Sequence, residues 1–208
     1  AALVAPTPQS TQEILDTAPK TVVFIDSKVE GAAALIADLP PSVEVRLIGA
    51  DENGVQVIGD TLAQLGGNVG AVHILAHGDE GRIALGSSIL DSSTLQGDLA
   101  QVVAQWSQSL NAGADLLLYG CSVAASPDGT AFVQQLAQLT HADVAASTNL
   151  TGDMSRGGDW VLEYSTGTIE AALPFSAEAL ANFTDLLDDP VPSVSSSAAS
   201  DKIYKIAD

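Results

Sequence analysis

The chain has 208 residues, of which 46% are hydrophobic and only 4% aromatic, and it sets 7 Lys and Arg against 26 Asp and Glu for a formal net charge of −19. This length suits one domain with extensions, and its core must be built from Ala, Val, Leu and Ile. So acidic a chain is repelled by phosphate backbones and anionic membrane surfaces, which argues against a nucleic-acid partner.

Cys121 is the only cysteine, so neither an internal disulfide nor a Cys-rich zinc site can form. The apolar runs fall short of the ~18 residues that a membrane helix needs, so no membrane insertion is expected. No basic stretch precedes an apolar one at the start, and "AALVAPTPQSTQ" reads as a linker or as the cut edge of a longer protein. The composition shift in "LLDDPVPSVSSSAAS" suggests that the chain leaves its compact unit near Pro190. The expected organisation is a linker over 1–19, an α/β domain over 20–175 and an extension with linker over 176–208.

In chain order, "TVVFID" (21–26) is a buried strand and "EGAAALIADL" (30–39) a helix stopped by Pro40 and Pro41. "VEVRLIG" (43–49) alternates as a strand. "GDTLAQLGG" (59–67) is a short helix with Gly at its stop, and "AVHILAHG" (71–78) is a third strand. "GRIALGSSIL" (81–90) suggests a hairpin around Gly86-Ser87, and residues 91–110 a long amphipathic helix that Ser92, Ser93 or Thr94 can cap. "ADLLLYG" (114–120) is the fourth strand, 128–140 a helix, "ADVAAS" (142–147) a fifth strand and 159–170 a hairpin-like pair. Strands alternating with helices imply a three-layer α/β/α sandwich around a mostly parallel sheet.

Ligands of such sheets bind beyond the carboxyl ends of the strands. Those ends carry Asp26-Ser27, Gly49–Asp51, His77-Gly78, Gly120-Cys121 and Ser147–Asn149. His77 and Cys121 end two different strands, and neighbouring strands would set them side by side. A thiol becomes a nucleophile when a base or positive setting yields the thiolate, which a histidine on the next strand end supplies. The amides of Gly78 and Cys121 are then placed to hold an oxyanion. The plain alternative is a loop-capping histidine beside an inert, buried cysteine.

The other histidines carry less. His73 and His77 stand roughly 13 Å apart on a strand, too far to share a metal, and no Glu follows His73, so no metal is assigned. His73 reads as a packed, hydrogen-bonded core residue, and His141 as a surface residue or a partner for a helix end. "DENG" (51–54) and "LLDD" (186–189) offer oxygen ligands that calcium would accept, but they read first as solvated loops. No cofactor is otherwise expected.

A strand ending in His-Gly, a long helix, and a strand ending in x-Gly-Cys 44 positions on resemble the caspase-fold cysteine peptidases. More closely, "VVFIDSKVEG", "VHILAHGDEGRIALG", "LLLYGCSVA", "GTAFVQQLAQLTHADVAAS" and "TGDMSRGGDWVLEYSTGTIE" resemble an uncharacterised bacterial domain family over roughly residues 20–172. Its members occur near the N-termini of giant cadherin-like, calcium-repeat surface adhesins. The resemblance implies a caspase-like architecture, His77 and Cys121 as catalytic residues, and Gly78 as an oxyanion-hole donor. It implies a peptide or protein substrate, the parent chain among the candidates, and an extracellular or cell-surface setting.

Relatives that cut after basic residues often carry an acidic residue two before the cysteine. Here Tyr119 stands there, so a basic preference does not carry over unless Asp26, Asp143 or Asp153 supplies charge. Asp26, Tyr119 and Ser147 are the candidate substrate-binding residues. The alternative is an inactive caspase-like module that uses the crevice for binding or as a cap.

Overall fold

A computed structural model of the chain describes residues 18–188. Its centre is a six-stranded sheet built from β1 (Lys20–Asp26), β2 (Val43–Ile48), β3 (Val69–Leu75), β7 (Leu110–Tyr119), β8 (Asp143–Ala146) and β9 (Tyr164–Ser165), in the order β2-β1-β3-β7-β8-β9. All neighbours are parallel except β8 and β9, which pair antiparallel. A second sheet of β4 (Gly78–Asp79), β5 (Arg82–Leu85) and β6 (Ser88–Asp91) is antiparallel throughout.

The inner strands read as unbroken apolar runs because both of their faces are covered. On one face Val22, Phe24, Val72, Ile74, Leu116 and Leu118 pack under α2 (Gly54–Leu65), α4 (Ala100–Trp106) and α5 (Pro127–Thr140). On the other, Val23, Ile25, Leu75, Leu117 and Tyr119 pack under α1 (Ala32–Asp38) and α6 (Ala177–Ala181), with the chain around Trp160 and Phe175. This is the three-layer α/β/α fold. No helix among the described residues is long and apolar enough to cross a membrane.

Several elements differ from the sequence reading. Helix α2 starts at Gly54 rather than residue 59, because the Asn53 side chain accepts from the Gln56 amide and caps it there. The helix expected over 91–110 is two pieces, α3 (Ser92–Leu95) and α4, and Asp91 rather than a serine caps the first through a reciprocal bond with Thr94. The break falls at Gly97, whose amide turns back to Thr94. Over 159–170 there is no hairpin; only Tyr164–Ser165 forms a strand, on β8. The compact unit does not stop at 175: α6 and Phe183, Leu186 and Leu187 are part of the second core. Most of the N-terminal linker and everything beyond Asp188 lie outside the described residues.

His73 is fully buried and stacks on Tyr119, with ring centroids 5.9 Å apart and planes 9° from parallel. Neither of its ring nitrogens has a hydrogen-bond partner, unlike the bonded core histidine expected. Burial therefore lowers its pKa from 6.5 to about 4. Between these values the unfolded chain binds a proton that the folded chain refuses, so stability is full above pH 6.5 and falls as pH drops toward 4. The shift corresponds to roughly 3 kcal/mol. His73→Phe is expected to flatten the fall in urea midpoint between pH 6.5 and 4.5; an unchanged slope would place the acid sensitivity elsewhere.

Candidate active site

Strand β1 connects to β2 on one side of the sheet while β3 lies on its other side, so the strand order reverses between β1 and β3. That reversal opens a crevice beyond the carboxyl ends of the strands. Strands β3 and β7 are neighbours, paired Leu75 to Tyr119, and the Ala76 amide extends the ladder by bonding the Tyr119 carbonyl at 3.1 Å. His77 and Cys121 each lie two residues beyond the last paired residues, Leu75 and Tyr119, where Gly78 comes to lie against Gly120.

Glycines allow the two strand ends to approach. A Cβ on Gly78 would stand 2.8 Å from Val123 Cγ2 and 3.0 Å from the Gly120 Cα, and one on Gly120 would stand 3.0 Å from the Ala76 carbonyl oxygen. With no side chain at either position, the Gly78 and Cys121 amides point to one spot. There they meet the carbonyl oxygen of Leu187, to which each donates at 2.9 Å. Two amides converging on one oxygen have the arrangement that an oxyanion hole requires.

His77 is half-buried. Its Nδ1 lies 2.9 Å from the carbonyl oxygen of Asp188, and its Nε2 3.2 Å from that of Lys28. Both neighbours are carbonyl oxygens, which only accept, so the ring nitrogen that carries the proton donates to one of them, and the shorter contact is that of Nδ1 with Asp188. Cys121 is buried, 2% exposed. Its Sγ accepts from the Thr151 amide at 3.2 Å and lies 3.5 Å from the Thr151 carbonyl oxygen. Burial raises the thiol pKa above its usual value; the Asp188 and Asp185 carboxylates also raise it, while the Thr151 and Leu187 amides lower it.

The other predicted residues have different surroundings. Asp26 is buried on the crevice wall, and its carboxylate accepts from the Lys28 and Gly86 amides. It thus braces the turn that offers the Lys28 carbonyl to His77, while also lining the cleft beside it. Tyr119 lies in the second core with Leu187, between His73 and Trp160. Ser147 is fully buried and bonds Asn149, fixing the loop that leads to Thr151. The Asp153 carboxylate accepts from the Ser155 amide. Sequence reasoning missed Thr151 and Leu187; only the rule that ligands sit beyond the strand ends pointed to the loop after β8.

Beside His77 is a cleft of about 480 Å³, lined by Asp26, Lys28, Glu30, Ala84, Asp185 and Asp188. Of the stretches suggested for calcium, Glu52 is held by Arg46 and the Gly49 amide, and Asn53 caps α2. Among the described residues, the carboxylates that could together hold a metal ion are Asp115, Asp143 and Glu170, whose oxygens lie within 4.8 Å of one another. Asp115 and Asp143 pair at the amino-terminal part of β7 and β8, away from the crevice.

Fold and site together define a three-layer α/β/α domain with a cysteine, a histidine and two converging amides at the carboxyl edge of its sheet. The chain belongs to the family described as a domain of unknown function (DUF4347), whose profile matches residues 22–187. No curated protein matches it.

A buried thiol with a raised pKa should react slowly. Iodoacetamide is expected to alkylate Cys121 in the folded chain at pH 7.5 at least tenfold more slowly than in 8 M urea. Asp188→Asn removes one of the charges that raise the thiol pKa, so it is expected to speed labelling of the folded chain modestly. Equal rates in folded and unfolded chain would contradict the burial.

Proposed function

We propose that this domain is a cysteine endopeptidase working through Cys121 and His77. The observation that carries the reading is the convergence of the Gly78 and Cys121 amides on the Leu187 carbonyl oxygen, with the thiol on one of the two donor residues and His77 against the carbonyl of the next residue, Asp188. Water or any lone acceptor could satisfy two amides; a peptide carbonyl in that position, flanked by nucleophile and base, matches what acyl transfer requires. The resemblance to caspase-fold peptidases supports the same roles. It also suggests a large cell-surface protein as the setting, and hence the parent polypeptide as substrate, tethered at high effective concentration.

In the reaction an unprotonated ring nitrogen of His77 takes the Cys121 thiol proton as sulfur attacks the carbonyl carbon. The Gly78 and Cys121 amides hold the oxygen as it gains charge. His77 then returns the proton to the departing amine, leaving a thioester. Water, deprotonated by His77, attacks the thioester and restores the thiol. Lys28, through its carbonyl, and Asp26, through the turn it braces, are positioning residues.

The test is covalent labelling of the full chain with a panel of peptidyl acyloxymethyl ketones that differ in their terminal residue, read by intact mass. At least one probe is expected to modify Cys121, with the rate falling at least tenfold in His77→Ala. Labelling indifferent to His77, or none across the panel under conditions where iodoacetamide reacts, would remove the peptidase reading and leave the binding or capping module.

A further inference from the structure

The chain that delivers the Leu187 carbonyl to the two amides is bound like a peptide ligand. Asp185 to Leu187 runs antiparallel to the loop after β8, bridging Leu186 to Gly152. The Asp153 amide donates to the Asp185 carbonyl at 2.8 Å, and the Leu187 amide to the Thr151 carbonyl at 2.9 Å. On the side of β3, Asp188 bridges in parallel to Gly78. Strand addition of this kind is a common way to hold an extended peptide.

The backbone of the receiving loop is shaped for this segment. Gly152 has φ +122°, and a Cβ there would stand 2.3 Å from the Asp185 carbonyl oxygen. A Cβ on Gly158 would stand 2.8 Å from Leu186 Cδ2. The Leu187 side chain is fully buried in the second core, the cluster that also holds Leu75, Leu117, Tyr119 and Cys121. Asp188, by contrast, is exposed and reaches past His77.

We propose that Asp185–Asp188 is the domain's own substrate, bound in cis, with the Leu187–Asp188 peptide bond the one that is cut and an apolar, leucine-sized residue required before the cut. The inference rests on the peptidase reading above. Cys121 Sγ bonds to the Leu187 carbonyl carbon while the electron pair moves to the oxygen held by Gly78 and Cys121. The carbon–nitrogen bond to Asp188 breaks, and His77 protonates that nitrogen, which leaves as the new amino terminus. One water then hydrolyses the thioester to give a Leu187 carboxylate and the free thiol. The match to the family's profile extends to Leu187, the residue before the cut.

The experiment follows the full chain by intact mass over days at pH 7–8, with variants made in the same background. The expected products are residues 1–187 and 188–208, absent in Cys121→Ala. Leu187→Met is expected to keep at least a third of the rate. Leu187→Lys is expected to lower it at least tenfold, and Asp188→Pro to abolish it by altering the leaving nitrogen. Asp188 is exposed and its amide makes none of the contacts described, so Asp188→Pro leaves the apolar anchor in place should Leu187→Lys unfold the chain. Probe labelling of Cys121 that depends on His77, with no cut or a cut elsewhere, would overturn this inference and leave the peptidase reading intact. A cut at 187–188 that persists in Cys121→Ala would also overturn it. Failure of both labelling and cleavage removes the two together.

Discussion

The Leu187 carbonyl oxygen accepts from two amides that belong to different strand ends, Gly78 beyond β3 and Cys121 beyond β7. A buried carbonyl must find donors, and those donors must come from backbone brought within reach. That requirement fixes the adjacency of the two strands, and it explains the glycines: any Cβ at Gly78 or Gly120 would push the strand ends apart. It also decides what the third layer is for. Helix α6 and the residues after it cover the second face of the sheet, and in doing so they bring Leu187 over the thiol.

How much of this the sequence revealed depends on how local each feature is. His77 and Cys121 could be read because each follows a β-like apolar run that glycine terminates, and the sheet rule then sends both to one edge. The pairing of Gly78 with Cys121 as donors followed from the same logic. Leu187 could not be read, because "LLDD" announces only two apolar residues beside acidic ones, and its partners stand 66 and 109 positions earlier. Its meaning comes from tertiary contact alone. Thr151 has the same difficulty: what it contributes near the thiol is backbone, and backbone carries no residue signature. The split helix at Gly97 and the absent hairpin over 159–170 failed for another reason, since apolar periodicity there was satisfied by packing against a layer rather than by pairing or continuous helix.

Electrostatics at the site runs against an active thiolate in the state described. Cys121 is enclosed by the segment that ends at Asp188, and that segment brings two carboxylates with it. Burial and like charge both favour the neutral thiol. The same segment, however, puts a carbonyl in the oxyanion position and lends the Leu187 amide to the sulfur's surroundings. On the proposed reading, the bound segment would supply the geometry of reaction while restraining its rate, which a substrate attached to its own catalyst can tolerate because each molecule needs to react only once.

The apolar character of the pocket follows from its position in the fold. Leu187 belongs to the same core cluster as Leu75, Leu117 and Tyr119, which are sheet residues that would need covering whether or not any peptide were cut. Under the proposed cleavage, recognition and folding would share one surface, and burial of a leucine side chain is worth about 1.5–3 kcal/mol to either. Tyr119 stands where an acidic residue would be wanted for a basic side chain, and burial pushes its hydroxyl pKa well above the usual value, so it stays uncharged. A lysine inserted there would carry its charge into a desolvated, apolar core, which is costly. The proposed preference for leucine over a basic residue would therefore be a property of the hydrophobic core itself, extended by one residue of the chain that closes over it.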